Sequence, residues 1–191
     1  MAGTDLLEAA EPTWPARHGP YVLLVDASSG VEAKLIAEWY ERVAQDVREP
    51  VDVFSVPPSR RRRPFASVDP TIDERLSSED NPLLVPVRVA WLPKERDGMR
   101  RVTIRDAFTF GDPRDPNVFQ QRSILARHPD RAQIVVGEPA YKSEIVDRWN
   151  SPDGRGPADG TTLGEFVALQ AWLALERAER VIRGQRYKVP K

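Results

Sequence analysis

Apolar and polar positions alternate between a few clear patterns along this chain. Tyr21-Val22-Leu23-Leu24-Val25 is an unbroken apolar run, the pattern of a strand covered on both faces. Asp26-Ala27-Ser28-Ser29 stops it, and Ser29 with Glu32 three positions later is a capping-box signature for a helix start. The stripe Val31, Leu35, Trp39, Val43, Val47, widened by Ile36 and Tyr40, predicts a helix that Pro50 ends. Residues 51–56 then alternate as a second strand. A strand–helix–strand unit of this spacing implies a parallel pair.

Residues 57–82 show no apolar period and read as a long exposed loop. Residues 83–93 form the strongest strand signal in the chain, and Pro86 inside it argues for an edge position or a bulge. Glu95-Arg96-Asp97-Gly98 is turn material, after which residues 101–105 alternate again, so a hairpin is expected. A helix over residues 117–128, a strand over 132–137 and a short helix over 141–149 follow. Thr162 and Glu165 form a second capping box. The long helix behind it sets Leu163, Phe166, Val167, Leu173, Ala174, Val181 and Ile182 on one face and ends at Gly184. Its second half is charged, with Glu176–Arg180 and Glu179–Arg183 at the spacing that stabilises a solvent-facing helix. These elements predict one α/β domain over residues 21–191, a mixed sheet flanked by helices, behind a flexible tail at 1–20.

Composition narrows the chemistry. The 191 residues carry 28 basic and 29 acidic side chains, so no strong field favours nucleic acid, and no nucleic-acid partner is expected. Zero cysteines exclude a disulfide framework, thiolate catalysis and cysteine–zinc sites, while two histidines leave little for a histidine-rich centre. No metal and no cofactor are expected. His18 falls in the tail and His128 directly precedes Pro129. No serine sits in a glycine-flanked nucleophile elbow. The pairs Glu176/Glu179 and Asp112/Asp115 read as surface charge, and Trp39, Trp91, Trp149 and Trp172 as core. The residues alone nominate no catalytic group.

Two binding features remain. Arg60, Arg61, Arg62 and Arg63 form the densest charge run, worth ~1 kcal/mol per residue against an anionic surface. Acidic residues follow closely, so a solvated loop is the plain alternative. Ser28, Ser29 and Gly30 open a helix directly after a strand, where backbone N–H groups can hold a phosphate. With one glycine and no lysine, the junction is no P-loop and also reads as an ordinary capped helix start.

Four stretches, taken in order, carry a family resemblance. They are Val25-Asp26-Ala27-Ser28-Ser29; Leu84-Val85-Pro86-Val87-Arg88-Val89-Ala90-Trp91-Leu92-Pro93 with Glu95-Arg96-Asp97-Gly98; Asp130-Arg131-Ala132 through Gly137-Glu138-Pro139-Ala140; and Leu175-Glu176-Arg177-Ala178-Glu179-Arg180 through Arg186-Tyr187-Lys188-Val189-Pro190. The chain resembles the N-terminal region of large bacterial glycerol-3-phosphate acyltransferases, the actinobacterial branch above all. The resemblance implies a parent enzyme that moves an acyl group from coenzyme A or acyl carrier protein to glycerol 3-phosphate. That reaction opens phospholipid synthesis on the cytoplasmic side of the membrane.

The family's catalytic signature is histidine, four residues, aspartate, in which the histidine is the base and the aspartate orients it. This sequence lacks it: Leu23 stands five places after His18 and Gln133 five places after His128. Nor does the Arg60 to Arg63 run match the family's arginine motifs, which lie downstream of the catalytic histidine. The resemblance therefore implies a non-catalytic, structural or regulatory domain, and Lys191 reads as a cut end. Its implied partners are a downstream catalytic acyltransferase domain and an anionic membrane surface. It also suggests a degenerate acyltransferase-like fold, with Ser28 and Glu32 near the places of the catalytic histidine and aspartate.

Overall fold

The computed structural model describes residues 12–57, 68–93, 95–96, 99–100, 115–151 and 160–183. Strand β1 (Tyr21–Asp26) leads into helix α1 (Gly30–Val43), which returns to β2 (Val51–Ser55). Helix α2 (Thr71–Leu76) precedes β3 (Leu83–Trp91). The short strands β4 (Glu95–Arg96) and β5 (Met99–Arg100) pair with each other, apart from the main sheet. Helix α3 (Val118–Arg127), strands β6 (Ala132–Val136) and β7 (Ala140–Tyr141), and helices α4 (Lys142–Asn150) and α5 (Leu163–Arg183) complete the order. The main sheet runs β2-β1-β3-β6, with β7 also on β3. β1 is parallel to both β2 and β3, whereas β6 and β7 are antiparallel to β3. The fold is thus α/β with a mixed five-stranded sheet flanked by helices.

The apolar runs are explained by burial on both sheet faces. Every residue of β3 is buried. Leu83, Val85, Val87, Val89 and Trp91 face Ile36 and Trp39 of α1 and Ile124 of α3, together with Tyr21 and Leu23 of β1. The alternate residues Val22, Leu24 and Leu84 face Ile72 and Leu76 of α2, Ile145 of α4 and Phe166, Val167 and Ala171 of α5. Period-2 geometry thus sends each strand's side chains into two separate cores.

Several expectations need correction. The buried line of α1 is Glu32, Ile36 and Trp39, with Val31 and Leu35 only half-buried, and the helix stops at Val43, short of Val47. Residues 71–76, expected in an exposed loop, form α2 and bury Ile72 and Leu76; two apolar residues four apart are too few to register as a period. Residues 101–105, expected as a strand, lie outside the described residues, and the hairpin that is described joins β4 to β5. Residues 12–20, expected to be loosely held, are docked. Trp14 sits edge-on to Tyr21 at 5.1 Å and also packs on Trp39 and Tyr40, while Trp39 Nε1 donates to the Pro12 carbonyl at 2.9 Å. On α5 the buried residues are Gly164, Phe166, Val167, Ala171, Leu175 and Glu179, and Val181 is 84% exposed.

Pro86 sits in the central strand, not at an edge, and the other half of that expectation explains how. Its carbonyl accepts from Gly137 N at 2.9 Å, so its missing N–H points to the same side. There the neighbouring strand breaks into β6 and β7 at Gly137-Glu138-Pro139. The bulge lies where β3 has no donor to offer. A side chain at Gly137 would crowd α5: a Cβ would meet Ala174 Cβ at 3.1 Å and the backbone of α5 at 3.2 Å.

Candidate functional site

From β1 the chain passes to β2 and then returns across to β3, so the strand order reverses beside β1. The crevice outside the carboxyl ends of β1 and β3 is where open α/β sheets hold their ligands. Two polar clusters stand there, one on each face of the sheet.

On the α5 face, Arg88 is buried in the middle of β3's apolar run. Its register places it beside Asp26, the last residue of β1. Arg88 Nη2 meets Asp26 Oδ2 at 2.8 Å, and Nη1 meets Glu179 Oε2 at 2.9 Å and Glu176 Oε1 at 3.4 Å. Asp26 and Glu179 are themselves buried. Glu176 and Glu179, expected as surface charges paired along their own helix, instead turn inward to a strand residue 88 and 91 positions away. The reason is electrostatic: a guanidinium inside a sheet costs several kcal/mol unless carboxylates reach it. A lone arginine in an otherwise apolar strand was the available sign of this cluster.

On the α1 face, Glu32 is 1% exposed. Its Oε2 accepts from Ser28 N at 2.7 Å and Ser28 Oγ at 2.9 Å; its Oε1 accepts from Trp91 Nε1 at 2.8 Å and Gln121 Nε2 at 3.1 Å. Gln121, also buried, is fixed by Ser29 Oγ, which donates to its Oε1 at 2.6 Å, and by its own donation to the Pro116 carbonyl at 3.0 Å. Ser29 Oγ in turn accepts from Glu32 N at 3.2 Å, the cap expected from the spacing. The network ties β1, α1, β3 and α3 to one carboxylate. Buried and held by four donors among the described residues, that carboxylate acts as a fixed strut.

Ser28, Ser29 and Gly30, the expected phosphate-holding helix start, line an open cleft of about 620 Å³ with Val53 and Ser55 of β2 and Tyr40 of α1. The Ser28 N–H and both serine hydroxyls are engaged inward, to Glu32 and Gln121. Arg60, Arg61, Arg62 and Arg63 lie outside the described residues. His18 is exposed, 3.7 Å from Glu49, and His128 serves as the C-cap of α3. Neither histidine adjoins the crevice clusters. No group of three or more histidine and carboxylate side chains among the described residues is placed to hold a metal. No described helix is long and apolar enough to cross a membrane. No protein-family model matches the chain, and no solved structure matches it.

Proposed function

We propose that this chain is the non-catalytic N-terminal domain of a glycerol-3-phosphate acyltransferase, a scaffold for a catalytic domain that carries the histidine and aspartate. The observation that carries the reading is spatial. The first, second and fourth of the stretches that resemble this family are far apart in sequence, yet their described parts meet at Arg88, and the third runs alongside as the strand paired with it. Asp26 comes from the first, Arg88 from the second, and Glu176 and Glu179 from the fourth. The third supplies Gly137, whose lack of a side chain lets α5 approach. A resemblance scattered over surface loops would lack this coherence.

Geometry also supports the non-catalytic part. At the positions likened to the catalytic pair, Ser28 Oγ donates to Glu32 Oε2. A serine hydroxyl there cannot serve as the base that imidazole provides, and the carboxylate beside it is buried. The pair retains an orienting contact with nothing to orient.

The test is an acyl-transfer assay on the purified chain, with glycerol 3-phosphate and either acyl-coenzyme A or acyl carrier protein as donor. No turnover above the uncatalysed rate is expected, and measurable turnover by the chain alone would overturn the reading.

A further inference from the structure

We propose that the cavity between α4, α5 and the Gly137-Glu138-Pro139 bulge is a binding site for a single phosphate-type oxyanion. Its volume is about 90 Å³, several waters' worth of space and room enough for one tetrahedral group. Arg17 from the N-terminal segment, Arg148 from α4 and Arg177 from α5 line it, together with Gln170. Three basic side chains from three elements share the space, which suits an anion that presents oxygens in several directions.

The charge balance favours an added anion. Glu144 lines the cavity but is committed, its Oε2 accepting from Tyr141 N at 2.8 Å and standing 3.6 Å from Arg17 Nη1. Arg148 and Arg177 have no ion-pair partner among the described residues. Glu138 is the other acidic side chain among the lining residues. Leu24, Leu84, Ile145 and Val167 line the cavity too, and an apolar wall strengthens an ionic contact by keeping water off one side. This site is separate from the Ser28 helix start and from the Arg60 to Arg63 run. It does not depend on the acyltransferase reading.

Inorganic phosphate and vesicles containing phosphatidic acid carry the same chemistry, so the experiment has two arms. The first titrates inorganic phosphate into the isotope-labelled chain and follows amide shifts. The second measures co-sedimentation with phosphatidylcholine vesicles that contain or lack phosphatidic acid. Binding in either arm is expected to weaken about tenfold or more in the R148Q/R177Q double variant, which removes two charge-assisted donors. Both arginines are exposed, so this variant keeps its fold. Glu138→Gln is expected to tighten binding several-fold, and a variant with all four residues from Arg60 to Arg63 changed to Ala to leave it intact. Phosphate shifts assign the site to a free anion, and sedimentation alone assigns it to a headgroup. Binding in neither arm, binding that survives R148Q/R177Q, or binding lost only in the four-arginine variant would overturn the proposal.

Discussion

Arg88 and Glu32 show how a single charged residue dictates its surroundings. Arg88 stands in a strand with no exposed position, and burying it requires Asp26 and Glu179 beside it. Removing the cation leaves those carboxylates buried and uncompensated. Arg88→Met should therefore cost about 3–5 kcal/mol of folding stability, read as a fall in the urea midpoint. A loss below about 1 kcal/mol would mean that water already screens the cluster. Glu32→Gln keeps the shape but turns an N–H₂ group toward donors that need an acceptor. It should cost about 1–3 kcal/mol by the same measurement, with no change expected from a residue that merely fills space. Arg88 was legible in the sequence as an anomaly within an apolar run, and its partners were not. Helical spacing offered Glu176 and Glu179 a solvent-facing role, and only the packing of α5 against β3 turns them inward.

Elements with long, regular patterns were legible, and short ones were not. β1, β3 and the capped starts of α1 and α5 follow from apolar runs and box spacings. α2 and β7 escape because six and two residues cannot display a period. The segment before β1 reads as a polar, proline-containing tail until Trp14 is seen to pack on Trp39 and Tyr40. α2 is anchored to its surroundings through Arg75. That guanidinium meets Asp52 of β2 at 2.6 Å and both oxygens of Asp80 at 2.7 and 2.8 Å. Hydrogen bonds from Arg75 and then Ser78 hold the Asp80 carboxyl down at about 2, from an ordinary 3.8. A depressed carboxylate stabilises the fold above its unfolded value and ceases to do so as pH falls through its folded value. The stability difference between the wild type and Asp80→Asn should be constant at neutral pH and shrink between pH 4 and pH 2. Denaturant midpoints at a series of pH values check this, and a difference undiminished at pH 2 would contradict it.

At the scale of the molecule, the α/β class and the parallel β1–β2 pair were readable from the order of elements. The assembly of the crevice was not. Its contacts join residues 59, 89 and 92 positions apart, namely Glu32 with Trp91, Glu32 with Gln121 and Ser29 with Gln121. No local pattern encodes such distances, and each of those residues has an ordinary local role as cap, core or helix surface. What emerges is a sheet whose two polar clusters are each satisfied from within, one around the Glu32 carboxylate and the other around Arg88 among three acids, beside the open cleft lined by Ser28, Ser29 and Gly30. Clusters satisfied in this way suit the proposed role, a domain that supports chemistry conducted elsewhere. A scaffold of this kind must engage a catalytic partner. Calorimetric titration of the purified chain into the separately produced catalytic domain of an actinobacterial glycerol-3-phosphate acyltransferase tests this most directly. Saturable one-to-one binding is the predicted result, and absence of any binding heat across temperatures and concentrations would contradict the account.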